Sequence, residues 1–413
     1  MRLLPPWRFL GAIQAAIRRE AVRRAGKTPL VAPRVHENFR DSDSRLRACD
    51  SAAPSSVQHS SQRNLPPPSG DESRRHWIGG DMFSTRIFIT GLTVGLTVAC
   101  TQASAFEAGY IGSAQKPGLV LGNAAITPPA GLYMFDQAVA YSGSIVGPGA
   151  PTAAGGGKTS VHIAAGAAGL LWVPGWTVFG ATYDAVIVQP FMMLDVGSPV
   201  NVNPLGMHNT FLAPAELSWK LGDSGVYVKS GFGMWMPTGT TSGPNGLGNV
   251  GAPWWTFQPN LVASYFKDGW NLTANLFEEI NTASSVTGYT SGNVLHAEFT
   301  ATKTIGNWTF GPVGYYVGQV SDDKSSAFYG GAVNLKRYDI WAAGALVGYN
   351  FGPAALSVWA THELSANVSG GTAMPGIDSA AVSRGFTVFA NLSHRLWAPE
   401  APAPAPTRTS FRK

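Results

Sequence analysis

The sequence predicts an all-β fold: an antiparallel transmembrane barrel of about twelve strands, of the outer-membrane type. Three observations predict it. An export signal opens at an internal methionine. Beyond that signal, segments of about ten residues alternate polar and apolar with period two and end at Gly, Pro, Asn or Asp. No apolar run of about 18 residues follows the signal, so helices are not expected to do the spanning.

The signal occupies residues 82–105, MFSTRIFITGLTVGLTVACTQASA. Arg86 supplies the positive start, Ile87 to Ala99 the apolar run, and Ala103, Ser104 and Ala105 the small-residue cleavage site. The run is shorter than the roughly 20 residues a spanning helix needs, and no basic stop-transfer cluster follows it. Thr97 stands three residues before Cys100 where a lipoprotein signal wants an aliphatic side chain. The mature chain is therefore expected to begin at Phe106.

Residues 1–81 read differently. They hold 14 Lys+Arg and 8 Asp+Glu, a net +6, in stretches such as RREAVRRAGK and NLPPPSGDESRR that do not support a core. The expectation is a leader that is either mis-annotated upstream sequence or disordered, with translation starting at Met82. The charge then changes meaning. The whole chain carries +5, but beyond residue 105 there are 14 basic and 16 acidic residues. The basic balance belongs to the leader and carries no argument for nucleic acid. Both cysteines, Cys49 and Cys100, precede Phe106, so no disulfide or thiolate site is expected in the mature part.

Strands are expected near 131–142, 160–173, 176–190, 207–219, 225–236, 254–266, 269–280, 290–303, 308–319, 334–349, 353–362 and 382–397. In DGWNLTANLFEEI, Trp270, Leu272, Ala274 and Leu276 share one face, and Asn271, Thr273, Asn275 and Phe277 the other. In GVYVKSGFGMWM, Val226, Val228, Phe232 and Met234 oppose Tyr227, Lys229, Gly231 and Gly233. In an outer-membrane barrel the apolar face meets lipid and the polar face lines the lumen. Aromatics near strand ends, as in LLWVPGW, PWWTF, NWTF and HRLW, suit a membrane interface. The barrel is expected over 106–397. The joins SGSIVGPGAPTAAGGGKTS, PTGTTSGPNGLGNVGAP and ANVSGGTAMPGIDSA are expected as external loops, and 398–413 as a Pro/Ala-rich tail.

Several stretches carry a resemblance: FEAG after the signal, ITPPAGLYMFDQAVAYSG, GVYVKSGFGMWMPTG, NLTANLFEEIN, NWTFGPVGYYVGQVSDD and LVGYNFGPAALSVWATHEL. Over 106–397 the chain resembles the outer-membrane proteins of the meta-pathway of phenol degradation family. That resemblance implies an outer-membrane barrel that passes aromatic or other hydrophobic compounds. The last strand departs from the usual pattern, since it lacks a terminal Phe and is followed by the Pro-rich tail.

No catalytic constellation stands out, and neither an enzyme nor a cofactor is expected. His296 and Glu298 share a strand face at a spacing that could seat two metal ligands, but no third ligand is near in sequence, so both are read as polar lumen groups. The stretch AAGGGKTS has Thr152 where a phosphate-binding loop needs its first Gly. Ser393 and His394 are adjacent on a strand and point opposite ways, so they cannot pair as nucleophile and base. The lumen-lining candidates are Glu216, Lys220, Tyr227, Lys229, Glu279, His296, Glu298, Arg337, Asp339 and Glu363. Their mixed signs suit a permissive wall rather than a sign-selective filter.

The expected function is a passive channel of a Gram-negative outer membrane for small hydrophobic or aromatic molecules. Its expected partners are outer-membrane lipid, the permeant and the barrel-insertion machinery. The rival expectation is a structural or adhesive surface barrel with a closed lumen and partner-binding external loops.

Overall fold

Period-two alternation becomes a closed wall. In a computed structural model of the chain, long strands follow one another antiparallel: β1 (Gly131–Val146), β2 (Ser160–Val173), β4 (Ala181–Val196), β6 (Thr210–Lys220), β7 (Val226–Met236), β8 (Thr256–Lys267), β9 (Trp270–Asn281), β10 (Val294–Ile305), β11 (Trp308–Gln319), β12 (Lys336–Asn350), β13 (Ala354–Gly370) and β14 (Val382–Trp397). The short strands β3 (Thr177–Val178) and β5 (Leu205–Met207) attach to β4. β2 pairs with β4, and β14 pairs with β1 from Leu132↔Trp397 to Val146↔Val382, so the sheet has no free edge. The fold is thus a closed barrel of twelve long strands. The structure describes residues 107–400 apart from 108, 111, 154, 245–247, 332–335 and 372–379. The expected leader, the signal and all but the first residues of the expected tail lie outside the described residues.

The two ends of the barrel differ. At one end the joins are tight. Asp268 and Gly269 link β8 to β9 with φ of 52° and 75°, the twist a two-residue hairpin needs. At the other end lie the long joins, including residues 147–159 and 237–255.

The outward face is apolar. Leu261, Leu272, Leu276, Phe299, Phe310 and Val347 are exposed, while Asn271, Thr273, Glu279, His296 and Thr300 on the alternate positions are buried. Around the short-turn end stand Trp172, Trp176, Trp270, Trp308, Phe351 and Trp397, all exposed. Lys303 lies 4.9 Å over the Trp270 ring, an ammonium held at the depth of the aromatic belt. An exposed apolar band edged with Trp is the surface of a protein that sits in lipid. Among the described residues no helix is long and apolar enough to cross a membrane; the crossing is made by strands. Leu276→Arg places a cation on this face in mid-strand. It should destabilise the inserted barrel by about 2–4 kcal/mol, read as a lowered urea midpoint in lipid.

Several boundaries differ from expectation, among them the end of β4, at Val196 rather than 190, and three others whose cause is visible. β13 continues to Gly370, through five residues expected as loop. Leu364 is an extra residue opposite the Trp341/Ala342 step, and this bulge lets Ala366 and Val368 pack on the interior cluster. β1 continues to Val146 because Ile145 is buried in a second cluster with Tyr141 and Val161. β4 starts later than expected, since Phe179 and Gly180 take φ of 50° and 77° and make a turn of residues read as strand.

Candidate functional site

Residues 107–130 precede β1 and carry no strand alternation. The described residues among them run down the inside of the barrel. Glu107 begins at the long-join end, where its carboxylate accepts from Thr287 at 2.6 Å and Tyr329 at 2.7 Å, and its N–H donates to Ser291. Thr127 ends near the short-turn end, donating to Asp184. Burial, then hydrogen bonding to Glu107, raises the Tyr329 phenol well above its ordinary value. Burial, then the charge of Asp323, does the same for Tyr289, which donates to that carboxylate. These phenols therefore remain donors across the physiological range.

Between those ends the segment is gripped by the polar face of the wall. Glu279 accepts from Ser113 Oγ at 2.8 Å and from the N–H groups of Ala114 at 3.0 Å and Gln115 at 2.8 Å. Glu298 accepts from the N–H groups of Gly118 at 2.8 Å and Val120 at 3.2 Å. Thr300 and Ser264 accept from Gly122 and Ala125, while Asn271 and Trp359 donate to the carbonyls of Gly122 and Gly118. A chain without regular structure must satisfy its backbone somewhere, and here the lumen wall does it. At Gly118, φ is 87° and a Cβ would stand 3.0 Å from the Tyr315 ring, so only glycine passes this close to the wall.

The expected lumen residues now have places. Glu279, His296 and Glu298 are buried against the segment; His296 Nε2 lies 3.1 Å from Ser113 Oγ, and its ring stacks on Phe277 at 4.4 Å. Glu363 accepts from Tyr315 at 2.9 Å, Tyr141 at 3.2 Å and the Gly385 N–H at 2.7 Å, and meets Lys116 at 3.4 Å. Lys229 lies 2.9 Å from Asp184 and 3.5 Å from Glu216, whose other oxygen accepts from Asn260 at 2.9 Å. Tyr227 is half-buried opposite Lys220. Lys220 sits at the short-turn rim, 3.5 Å from Asp223 and exposed. Arg337 and Asp339 alternate with the buried Tyr338 and Ile340, so they face away from the lumen. Arg337 pairs with Asp322 at 2.6 Å, and Asp339 accepts from Asn367. With those two outside, the interior balance is acidic. Among the described residues, Asp184, Glu216, Glu279, Glu298 and Glu363 face the ammoniums of Lys116 and Lys229 and the His296 ring, 3.4 Å from Glu279.

Sequence reasoning missed Ser113, Gln115, Lys116, Asp184, His208 and Trp359. The first three lie in a Gly- and Pro-containing stretch with no periodicity. Asp184 sits in a segment whose register slips by a bulge between Asp184 and Val186. His208 stands between two carbonyls, Val250 O at 2.7 Å from Nδ1 and Ala114 O at 2.9 Å from Nε2, so it ties a long join to the segment.

The segment leaves part of the lumen unfilled. A cavity of about 490 Å³ is lined by the segment between residues 112 and 128 and by side chains of β1, β2, β4, β6, β7, β8 and β9, with Val317, Tyr338, Ile340, Glu363 and Asn391 reaching it from β11 to β14. Its wall is apolar at Phe135, Val139, Ile163, Leu171, Val188 and Phe211. Polar groups enter from Lys229, Glu216, Asn260, Gln258 and His208. Mostly apolar walls with a few convergent polar groups, in a volume of about 300–1,000 Å³, are what small-molecule sites have. Among the described residues no group of three His, Cys, Asp or Glu side chains is placed to hold a metal ion.

The family described as "Putative MetA-pathway of phenol degradation" matches residues 140–376, more than half of the chain. The chain belongs to this family. An outer membrane channel of Pseudomonas putida F1 shares the fold at TM-score 0.53 and 11% identity, over 66% of this chain and 98% of that one. Weaker likeness extends to the translocator domain of the autotransporter NalP from Neisseria meningitidis, at TM-score 0.40 and 13% identity over 65% of this chain and 89% of that one. It also extends to a Pseudomonas aeruginosa FadL homologue, at TM-score 0.30 and 11% identity over 72% of this chain and 99% of that one. No curated protein matches the chain.

Proposed function

We propose that this protein is a passive outer-membrane conduit of a Gram-negative envelope for small hydrophobic or aromatic molecules. The observation that carries the reading is the apolar-walled cavity inside the barrel, beside the segment that fills the rest of the lumen. A water-filled pore would want a polar wall all round. Here the polar wall is used to hold the segment, and the apolar wall of β1, β2 and β4 is left facing space. The family match and the shared fold of a named outer membrane channel agree with the reading. In it the chain meets outer-membrane lipid and the insertion machinery, and the mature protein starts at Phe106. N-terminal sequencing of membrane-extracted protein tests that start.

The lumen segment also favours a second reading, a surface barrel that is closed and acts through its long joins. Proteoliposomes decide between them. With the protein inserted, a neutral monocyclic aromatic should reach an enclosed reporter enzyme faster than in empty vesicles, while sugars of similar size should not. Equal rates with and without the protein would leave the closed barrel.

A further inference from the structure

The polar groups at the edge of the cavity are not electrically balanced. Lys116 is matched by Glu363, 3.4 Å away. Lys229, by contrast, stands between Asp184 and Glu216, at 2.9 Å and 3.5 Å, so two carboxylates share one ammonium. Both Lys229 and Glu216 reach the cavity surface, and Asp184 lies wholly buried behind them.

Hydrogen bonding is unbalanced in the same sense. Among the described residues Asp184 Oδ1 and Asn260 Oδ1, both closed off from the cavity, meet no donor. The Asn260 amide cannot be turned to correct this. Its Nδ2 is committed to Glu216 Oε1 at 2.9 Å, and turning it would set oxygen against carboxylate. Nor does His208 bring a free donor, since each ring nitrogen faces a backbone carbonyl. The cluster is thus rich in acceptors and carries surplus negative charge, beside apolar walls that weaken screening.

We infer that the cavity sorts amphiphiles by the sign of their polar group, taking amines and alcohols and rejecting carboxylates of the same skeleton. This rests on the reading of the cavity as the site of the conduit. An ammonium entering beside Glu216 offsets the surplus charge. A hydroxyl enters with no charge to be offset. A carboxylate brings a second uncompensated anion into a low-dielectric site, where a few ångströms separate like charges. A discrimination of about ten-fold or more between amine and carboxylate is expected from one such interaction at an effective dielectric near 20.

The test uses the purified full chain in detergent with bound N-phenyl-1-naphthylamine, a neutral fluorescent probe. It is displaced in turn by 4-phenylbutylamine, 4-phenylbutanol and 4-phenylbutyrate at neutral pH. The amine and the alcohol should displace it at concentrations at least about ten-fold below the carboxylate. In Glu216→Gln, one carboxylate and one ammonium remain, and the gap between amine and carboxylate should close. In Lys229→Gln it should widen. Equal displacement by amine and carboxylate in the unaltered protein would overturn the inference while leaving the conduit reading in place. Failure of the neutral probe and of all three compounds to bind would remove that reading, and the inference with it. The unaltered protein alone decides the sign, so a variant that does not fold leaves the result intact.

Discussion

Removal of residues 107–127, with the signal joined to residue 128, should convert an occluded barrel into a conducting one. Single-channel current in planar bilayers should rise several-fold over the unaltered protein, and small sugars should begin to pass. The segment crosses the lumen from Glu107 at the long-join end to Thr127 at the short-turn end, and it occupies the space between Glu279, Glu298 and the facing cavity. A twelve-stranded wall encloses more room than its own side chains fill. Without the segment, the carboxylates of Glu279 and Glu298 lose their N–H partners and need water, which itself favours a hydrated pore. The wall should survive, because the strand ladders close on themselves independently of the segment. A milder version keeps the chain and loosens the grip. In Glu279→Gln combined with Glu298→Gln, each side chain keeps one acceptor oxygen and sets an NH2 where the other stood, so one N–H of the pair Ala114 and Gln115 and one of the pair Gly118 and Val120 lose their acceptor, at a cost of about 1 kcal/mol or more each. Brief openings should then appear in a trace otherwise closed. A deletion protein that inserts and stays silent would show that the long joins, rather than the segment, shut the barrel.

Most of the wall was legible because a strand with one face in lipid repeats every two residues. Residues 268–280 and 225–236 showed the alternation in the sequence, and their faces in the structure follow it: Leu276 out and Phe277 in, Phe232 out and Trp235 in. Hence Glu279, His296, Glu298 and Lys229 could be placed on a shared polar face. What failed was whatever breaks the period. The bulge at Leu364 moves the inward phase of β13 from Glu363 to Ala366, and no local residue announces it. A charge on a strand was also read as a lumen charge, and Arg337 and Asp339, opposite the buried Tyr338 and Ile340, show why the alternation must be followed instead. The lumen segment was invisible for a deeper reason. Its shape is set by partners more than a hundred residues away, as in Gln115 to Glu279 or Gly118 to Glu298, and no local propensity encodes that.

Loss of one carboxylate should damage the barrel more than loss of any other interior side chain named above. Glu363 sits on β13 and draws in donors from three other strands: Tyr141 of β1, Tyr315 of β11 and the Gly385 N–H of β14. It also meets Lys116 of the lumen segment. It therefore ties the seam where the last strand meets the first, at Gly143↔Gly385, to the far wall and to the segment. Each of those donors is buried, Tyr315 at 1% and Tyr141 at 3% exposed, so Glu363→Ala takes away the acceptor they share. Unpaired buried donors cost about 1–3 kcal/mol each, and the Lys116 ammonium loses its counter-charge as well. A net loss of about 3–5 kcal/mol is expected after partial relaxation. It would be read as a lower urea midpoint in lipid and as a smaller folded fraction on unheated gels. Glu363→Gln keeps the shape and one acceptor, and should lose less than half as much. If Glu363→Ala unfolds at the same midpoint as the unaltered protein, the seam is held by its ladder alone and the interior carboxylate is dispensable to the wall.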